Sequence, residues 1–186
     1  VAGIADGALG TVQDALQRMR RLVLAAASTG GNSPDAVMAY SREIGALTEL
    51  LDAIAEFTHS GNRTLLDGSY TALFQVGANG GDTVVLDLSR ADVHAANLGG
   101  HSSGGGLDLT QLAILGPDAS ESGIYTVDGA RGDLSLLTES IVAATSVRAR
   151  IGAVTNQLDY TVAHLQVALG NTVGARSNLI DADMAD

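Results

Sequence analysis

The sequence predicts a mainly α protein with a small β part. Two N-terminal helices and one long C-terminal helix form a long antiparallel helix bundle or coiled coil, carrying a β-hairpin and a loop-rich insert. Three observations lead there. From Leu134 to about Leu179, a stretch without proline, apolar or small residues recur at steps of three and four, the spacing of a helical seam. Two N-terminal stretches step in the same way. Between these regions the pattern changes to alternation, the period of strands.

Residues 1–88 form the N-terminal part of the core domain. In the first arm, residues 1–28, Leu9, Val12, Leu16, Met19 and Val23 make the stripe. Asp14, Gln17, Arg18, Arg20 and Arg21 make the polar face. The breakers Ser28-Thr29-Gly30-Gly31-Asn32 end the arm. Ser33-Pro34-Asp35 then restarts a helix, with serine as N-cap, proline at the first helical position and an acid in the first turn. Its seam reads Val37, Tyr40, Ile44, Leu47, Leu51, Ile54, and fails before Gly61-Asn62. A short turn between two amphipathic helices implies an antiparallel pair. Ala72, Phe74 and Val76 then share one strand face, and Val84, Leu86 and Leu88 share the next. Gly77-Ala78-Asn79-Gly80-Gly81 tolerates positive φ, so the two strands close as a hairpin. Its apolar side needs the helices, because an isolated hairpin is marginal in water.

Residues 89–132 read as a short variable surface insert, crowded by Gly99-Gly100, Gly104-Gly105-Gly106 and Gly116-Pro117. Within it, Leu107–Leu115 is expected as a short helix and Ile124–Val127 as a short strand. Residues 133–186 form the long helix of the same core domain, launched at Gly132-Asp133. Its seam is Leu134, Leu137, Ile141, Ala144, Val147, Ile151, Val154, Leu158, Leu165 and Ala168, with Thr161 and Thr172 filling two positions. One phase slip falls at Ala144–Val147, a second consecutive step of three. Such a helix spans roughly 65–70 Å at 1.5 Å per residue and needs partner helices to cover it.

Composition narrows the class. Hydrophobic residues make up 46% but aromatics only 3%, which suits close helix packing better than a thick globular interior. The net charge is −11, and all ten basic residues are arginine, a balance that argues against nucleic acid. The absence of cysteine excludes a disulfide framework and a thiolate metal site. No stretch has the ~18 uninterrupted apolar residues of a membrane span, and no signal peptide is visible. The chain starts at Val1 inside one helical pattern and stops at Asp186 after another, and is read as a core whose ends have been removed.

Catalytic signals are weak, and the expectation is no enzyme, no cofactor and no metal. His59, His94, His101 and His164 are scattered and read as solvated, although His94 and His101 flank a glycine-rich loop. Asp181 and Asp183 have Asp-x-Asp spacing, read as structural at the helix exit rather than as ligands for a hard cation. The triple glycine at Gly104 lacks the strand before and helix after that a phosphate loop needs. No nucleophile elbow is present. Arg18, Arg20 and Arg21 cluster on one face of an acidic chain. They are either a solvated helix face or a subunit contact that sets register and orientation.

The long helix carries a resemblance. Ile151-Gly152-Ala153-Val154-Thr155-Asn156-Gln157-Leu158 resembles the L-G-A-V-x-N-R-L of bacterial flagellins. The run from Ala175 to Ala185 resembles their A-R-S-R-I-x-D-A-D-M-A. Upstream, Asp6-Gly7-Ala8-Leu9 is similar to E-G-A-L, and Leu16-Gln17-Arg18-Met19-Arg20 to L-Q-R-M-R. Glu43-Ile44, Leu47-Thr48, Leu65-Leu66-Asp67-Gly68 and Gln75-Val76-Gly77-Ala78-Asn79 also match, in the family's order. The family's T-x-F-N-G is here Thr58-His59-Ser60-Gly61-Asn62, without phenylalanine, and Arg21 replaces a usual glutamate.

The resemblance implies a rod-like middle domain with a short solvent-facing insert, lacking the terminal helices that form the filament's inner tube. It implies a secreted, extracellular structural subunit that self-assembles into the helical flagellar filament for swimming motility. The implied partners are further copies of the chain, a flagellar export chaperone, the filament cap and a host innate immune receptor. Neither nucleic acid nor membrane is among them. Gln17, Arg18, Leu22 and Glu43 match the receptor-contact positions, and Arg18 with Arg20 is expected to serve assembly rather than the fold. The alternatives are a hook–filament junction protein and a surface adhesion or receptor-binding module on the same scaffold.

Overall fold

The computed structural model describes residues 1–28, 33–79, 81–98, 109 and 127–183. The chain divides into two compact units, Val1–Thr71 with Asp87–Ile151 and Ala72–Leu86 with Gly152–Asp186.

The first unit holds helices α1 (Ala2–Ala27) and α2 (Pro34–Phe57), which pack on each other, and the beginning of α3 (Val127–Asp183). Its core residues repeat one spacing. On α1 the buried line is Ala5, Leu9, Val12, Leu16, Met19, Val23 and Ala26, widened by Ala15 and Leu22. On α2 it is Val37, Ser41, Ile44, Thr48, Leu51 and Ala55, and on α3 it is Asp133, Leu137, Ser140, Ala144, Val147 and Ile151. Each line alternates steps of four and three without interruption, the spacing of a heptad seam.

This corrects two expected seams. Tyr40, Leu47 and Ile54 are half-buried flanks, and their places in the α2 seam belong to Ser41, Thr48 and Ala55. On α3, Asp133 and Ser140 replace Leu134 and Ile141, and the expected phase slip disappears. Thr48 and Ser140 fit because each donates to its own helix one turn back. Thr48 Oγ1 bonds the Ile44 carbonyl at 3.0 Å and Ser140 Oγ bonds that of Leu136 at 2.8 Å.

The ends of α2 follow their local chemistry. Ser33 Oγ accepts from the Ala36 amide at 3.2 Å, with Pro34 at the first helical position. At the exit, both the amide and the hydroxyl of Thr58 bond the Ile54 carbonyl. Strands β1 (His59–Ser60) and β2 (Arg63–Thr64) then pair around Gly61, whose φ of +63° favours glycine.

The following chain, expected as insert from residue 89, is core in its described part. Leu88, Ala91, Val93, Ala95, Leu98 and Leu109 are all buried. The Val93 amide bonds the Leu66 carbonyl, and Asp52 Oδ1 on α2 accepts the Ala95 amide at 2.8 Å. Gly68, at φ +75°, lies so close to this segment that a Cβ there would sit 3.0 Å from Asp92 Cβ. Of the expected Leu107–Leu115 helix only Leu109 is described, and the rest of that stretch and residues 124–126 lie outside the described residues. Val127, expected in a strand, opens α3, which therefore starts before residue 133.

The second unit contains most of strands β3 (Thr71–Gln75) and β4 (Thr83–Asp87) and the later part of α3. The hairpin is where alternation placed it. The Val76 amide bonds the Asp82 carbonyl at 2.8 Å, which puts Phe74 opposite Val84 and Leu73 opposite Val85. Its turn is held by side chains. Gln75 Nε2 donates to the carbonyls of Gly77 and Asn79, and Asp82 Oδ2 accepts from the Asn79 amide and carboxamide. The Asp82 carboxylate folds across the space that a Cβ on Gly77 would occupy.

Three outcomes are expected from this packing. Leu51→Ala, at a fully buried seam position, lowers stability by about 2–5 kcal/mol. Leu50→Ala, at a neighbour 40% exposed, changes it by less than about 1 kcal/mol in the same urea titration. Gly77→Ala forces Asp82 off the turn, so amide exchange accelerates within residues 72–86 and not in α1 or α2. Asp133 gives a pH signature. It is only 8% exposed, its Oδ2 has no hydrogen-bond partner among the described residues, and burial pushes its pKa up to about 6. The native state therefore holds a proton that the unfolded chain, near 3.9, has released. Relative stability falls as pH rises through roughly 4 to 6. Asp133→Asn stabilises by about 1–3 kcal/mol at pH 7 and by little at pH 4, measured against the parent at each pH.

Candidate interaction surface

The outer face of α1 gathers the residues singled out by sequence, but it does not leave them all free. Helical phase puts Gln17, Arg18, Arg20 and Arg21 on the exposed side, opposite Leu16, Met19 and Val23. Leu22 does not join them. It is only 4% exposed, part of the widened α1 core. Glu43, from α2, stands half-buried beside Arg18, and Arg18 Nε donates to Glu43 Oε1 at 2.6 Å. That hydrogen bond holds the Glu43 carboxyl below its ordinary range and raises Arg18 further. Arg18 is thus a contact of the fold, linking α1 to α2, which corrects the expectation that packing has no use for it. Arg20 and Arg21 form no hydrogen bond or ion pair among the described residues.

A second lock, unseen in the sequence, joins α1 to α3. Arg148 grips Asp6 with two parallel bonds, Nε to Oδ1 at 2.8 Å and Nη2 to Oδ2 at 3.1 Å. Its Nη1 donates to Gln13 Oε1 at 2.7 Å, Gln13 Nε2 donates to Thr145 Oγ1, and that hydroxyl donates to the Ile141 carbonyl. The signal available was spacing. Asp6 and Gln13 are one heptad apart on α1, and Thr145 and Arg148 one step of three apart on α3. Flanking positions of a seam are where such pairs set register.

The later part of α3 offers a different surface. Beside the hairpin turn, Val76, Asp82 and Val84 face Gln157, Thr161, His164 and Leu165 across a cleft of about 330 Å³. On other sides Tyr160, Val162, Val167, Leu169, Val173 and Ile180 are exposed. The remaining candidates do not converge. His94 Nδ1 contacts Asp92 Oδ1 at 2.7 Å, His59 is exposed on β1, and His101 lies outside the described residues. Asp181 and Asp183 lie in the last turn of α3, which continues through the expected exit. Among the described residues no three histidine, aspartate or glutamate side chains are grouped to hold a metal, and no helix is long and apolar enough to cross a membrane.

Two family models fall on these long helices. Residues 1–71 match the family model for the bacterial flagellin N-terminal helical region, and residues 134–186 that for the bacterial flagellin C-terminal helical region. The chain is 31% identical over 202 residues to a flagellin of Bacillus subtilis (strain 168), a match covering 97% of this chain and 64% of the relative. A flagellin of Halalkalibacterium halodurans is also 31% identical, with 97% and 60% covered. The chain therefore spans a little under two-thirds of these curated relatives. The crystal structure of Bacillus cereus flagellin superposes with a TM-score of 0.66 at 22% identity, covering 88% of this chain and 82% of that one. FliC from Burkholderia pseudomallei gives 0.64 at 20% identity, with 83% and 97% covered. At these identities the likeness is one of fold.

The α1–α3 lock has its own pH test. Arg148 holds the Asp6 carboxyl below its ordinary range through its hydrogen bonds. The stability this adds is present above the unfolded pKa near 3.9 and is lost as pH falls through the depressed native value. Arg148→Met therefore moves the Asp6 carboxyl titration, followed by carbon NMR, upward toward an ordinary aspartate. The variant's stability deficit shrinks as the medium is acidified.

Proposed function

This chain belongs to the bacterial flagellin family, and on that premise we propose that it serves as the structural subunit of the flagellar filament. The filament is an extracellular helical polymer whose rotation drives swimming. The observation that carries the reading is the ordered pair of family matches falling on the long helices, the N-terminal one on α1 and α2 and the C-terminal one on α3. The physical role follows from the seams and locks. A subunit that transmits load needs helices that do not slide, and Arg18–Glu43 and Arg148–Asp6 oppose sliding of α1 against its neighbours. Head-to-tail contacts between different faces, when they do not close, extend into a helical polymer without turnover. Arg20 and Arg21, outward and unpaired among the described residues, are the side chains proposed to meet an acidic face of the next subunit.

The export chaperone, the cap and an innate immune receptor are further proposed partners on family grounds. For the receptor, the proposed footprint is Gln17, Arg18 and Glu43, with the buried Leu22 acting from beneath as packing. The hook–filament junction and adhesion-module readings gain no support, since the family models and the curated relatives compared above are flagellins.

The reading is tested in the complete protein. Arg20→Glu combined with Arg21→Glu leaves helicity and melting of the subunit near the parent's, but raises the critical concentration for polymerisation severalfold, with a defect that varies with salt. Arg18→Glu, which sets two carboxylates face to face, lowers melting as well. Normal filament growth by the double variant would remove Arg20 and Arg21 from the interface. Failure of the parent protein to form filaments at all would remove the function.

A further inference from the structure

We propose that Asp133 sets where α3 begins. Protonated and buried, it sits inside a helix that starts at Val127; ionised, it leaves the seam and caps a shorter helix that starts at Leu134. The chain supplies both starts. Gly132-Asp133-Leu134 is a helix start by local chemistry, a glycine followed by one of the strongest N-cap residues. Yet α3 runs back past it to Val127, so a capping residue is held within a helix.

The surroundings of Asp133 favour an exchange over fixed burial. In the seam the side chain is only 8% exposed and Oδ2 has no hydrogen-bond partner among the described residues. As a cap, the same carboxylate accepts the amide of Ser135 or Leu136 and stands at the positive end of the helix dipole. Among residues 131–136 no other side chain is buried, Leu134 and Leu136 being half-buried. Withdrawing Asp133 therefore frees the preceding turns and leaves Leu137 to open the seam. Gly132 is the hinge. A Cβ there would meet nothing within 4 Å, so packing does not call for glycine, whereas a backbone that must swing does. Gly129 and Gly132 also lower the helix propensity of the part released.

No neighbouring charge competes for the proton. The buried lines of α1 and α2 contain no ionisable side chain, and Arg131 and Glu139 on α3 are exposed. Burial alone raises the Asp133 carboxyl, to about 6. Arg90, Asp92 and His94 in the segment after Leu88 therefore do not act on it. With the capping carboxylate at or below the ordinary value near 3.9, the ratio of short to long start rises about tenfold between pH 5 and pH 7.5. The proton favours the long helix, so the helix retreats as pH rises.

The switch does not rest on the filament reading, because it needs only the bundle of this chain. Carbon NMR of the chain at about pH 5 and about pH 7.5 tests it. The helical Cα shifts of Val127–Gly132 are expected to fall by more than half at the higher pH, in step with the Asp133 carboxyl titration. Those of Leu137–Ile151 stay helical. Asp133→Leu, which neither ionises nor caps, keeps Val127–Gly132 helical at both pH values. Asp133→Ser, which caps without titrating, shows less helix there than the leucine variant and no pH dependence. Parent shifts that are the same at both pH values would overturn the proposal. So would a loss spread evenly along α3, which would mean that ionisation loosens the bundle as a whole. A pH-dependent loss that survives in either variant would assign the titration to another group and overturn it too.

Discussion

A helical seam accepts a polar residue when that residue completes its hydrogen bonding within its own helix, and the first unit depends on this constraint. Ser41, Thr48, Asp133 and Ser140 all occupy buried positions of the heptad lines. Thr48 and Ser140 satisfy it by bonding the carbonyl one turn back, so no partner helix has to supply a donor or acceptor. Small hydroxyl residues also let backbones approach, which suits a chain with so few aromatic side chains to fill wider gaps. Asp133 breaks the constraint. A carboxylate cannot hide both oxygens in this way, and its unsatisfied Oδ2 and raised pKa are the cost.

Seams bury area but do not by themselves fix how far one helix has slid along another, because every heptad looks much like the next. The flanking locks supply that information. Arg18–Glu43 ties α1 to α2, and the chain Asp6–Arg148–Gln13–Thr145 ties α1 to α3. Exposed pairs contribute little to stability individually. Their value here is discrimination, since a one-heptad slip would leave Arg148 without Asp6 and Gln13 without Thr145. The bidentate geometry sharpens this, because a guanidinium gripping both carboxylate oxygens tolerates less displacement than a point charge.

The main line of the α1 seam was readable, since Leu9, Val12, Leu16, Met19 and Val23 fall in one phase and all are buried. The hairpin was readable from alternation and glycine. The α2 and α3 seams were read half right for one reason. Hydropathy favours Tyr40, Leu47 and Ile141 over Ser41, Thr48 and Ser140, although the heptad phase favours the hydroxyls. The Arg148 network was not readable, because it joins residues remote in sequence whose pairing depends on how α1 and α3 are aligned. Leu22 was misplaced for a related reason. Family correspondence attaches a residue to a surface, whereas burial at 4% exposure depends on the width of this chain's own core. The segment after Leu88 was read as loop because its buried residues are spaced irregularly, and it is held by single bonds to Asp52 and Leu66 rather than by a repeating pattern.

The same heptad phase that buries Leu137, Ala144 and Ile151 continues along α3 through Val154, Leu158, Leu165 and Ala168, yet exposure grows as it does so. Intrinsic propensity does not compensate. Gly152, Gly170 and Gly174 lie within this part of the helix with open space where a Cβ would be, so no close approach requires them. Each weakens the helix by about 1 kcal/mol relative to alanine. Thr161 and Thr172 bond back to their own carbonyls, as the buried hydroxyls do, but in a helix that remains exposed around them. A helix with this composition draws its stability from what covers it rather than from its own turns. Two apolar stripes on one charge-poor helix, one beside the hairpin and one turned away from it, are therefore better explained by covering on two sides than by a solvated rod.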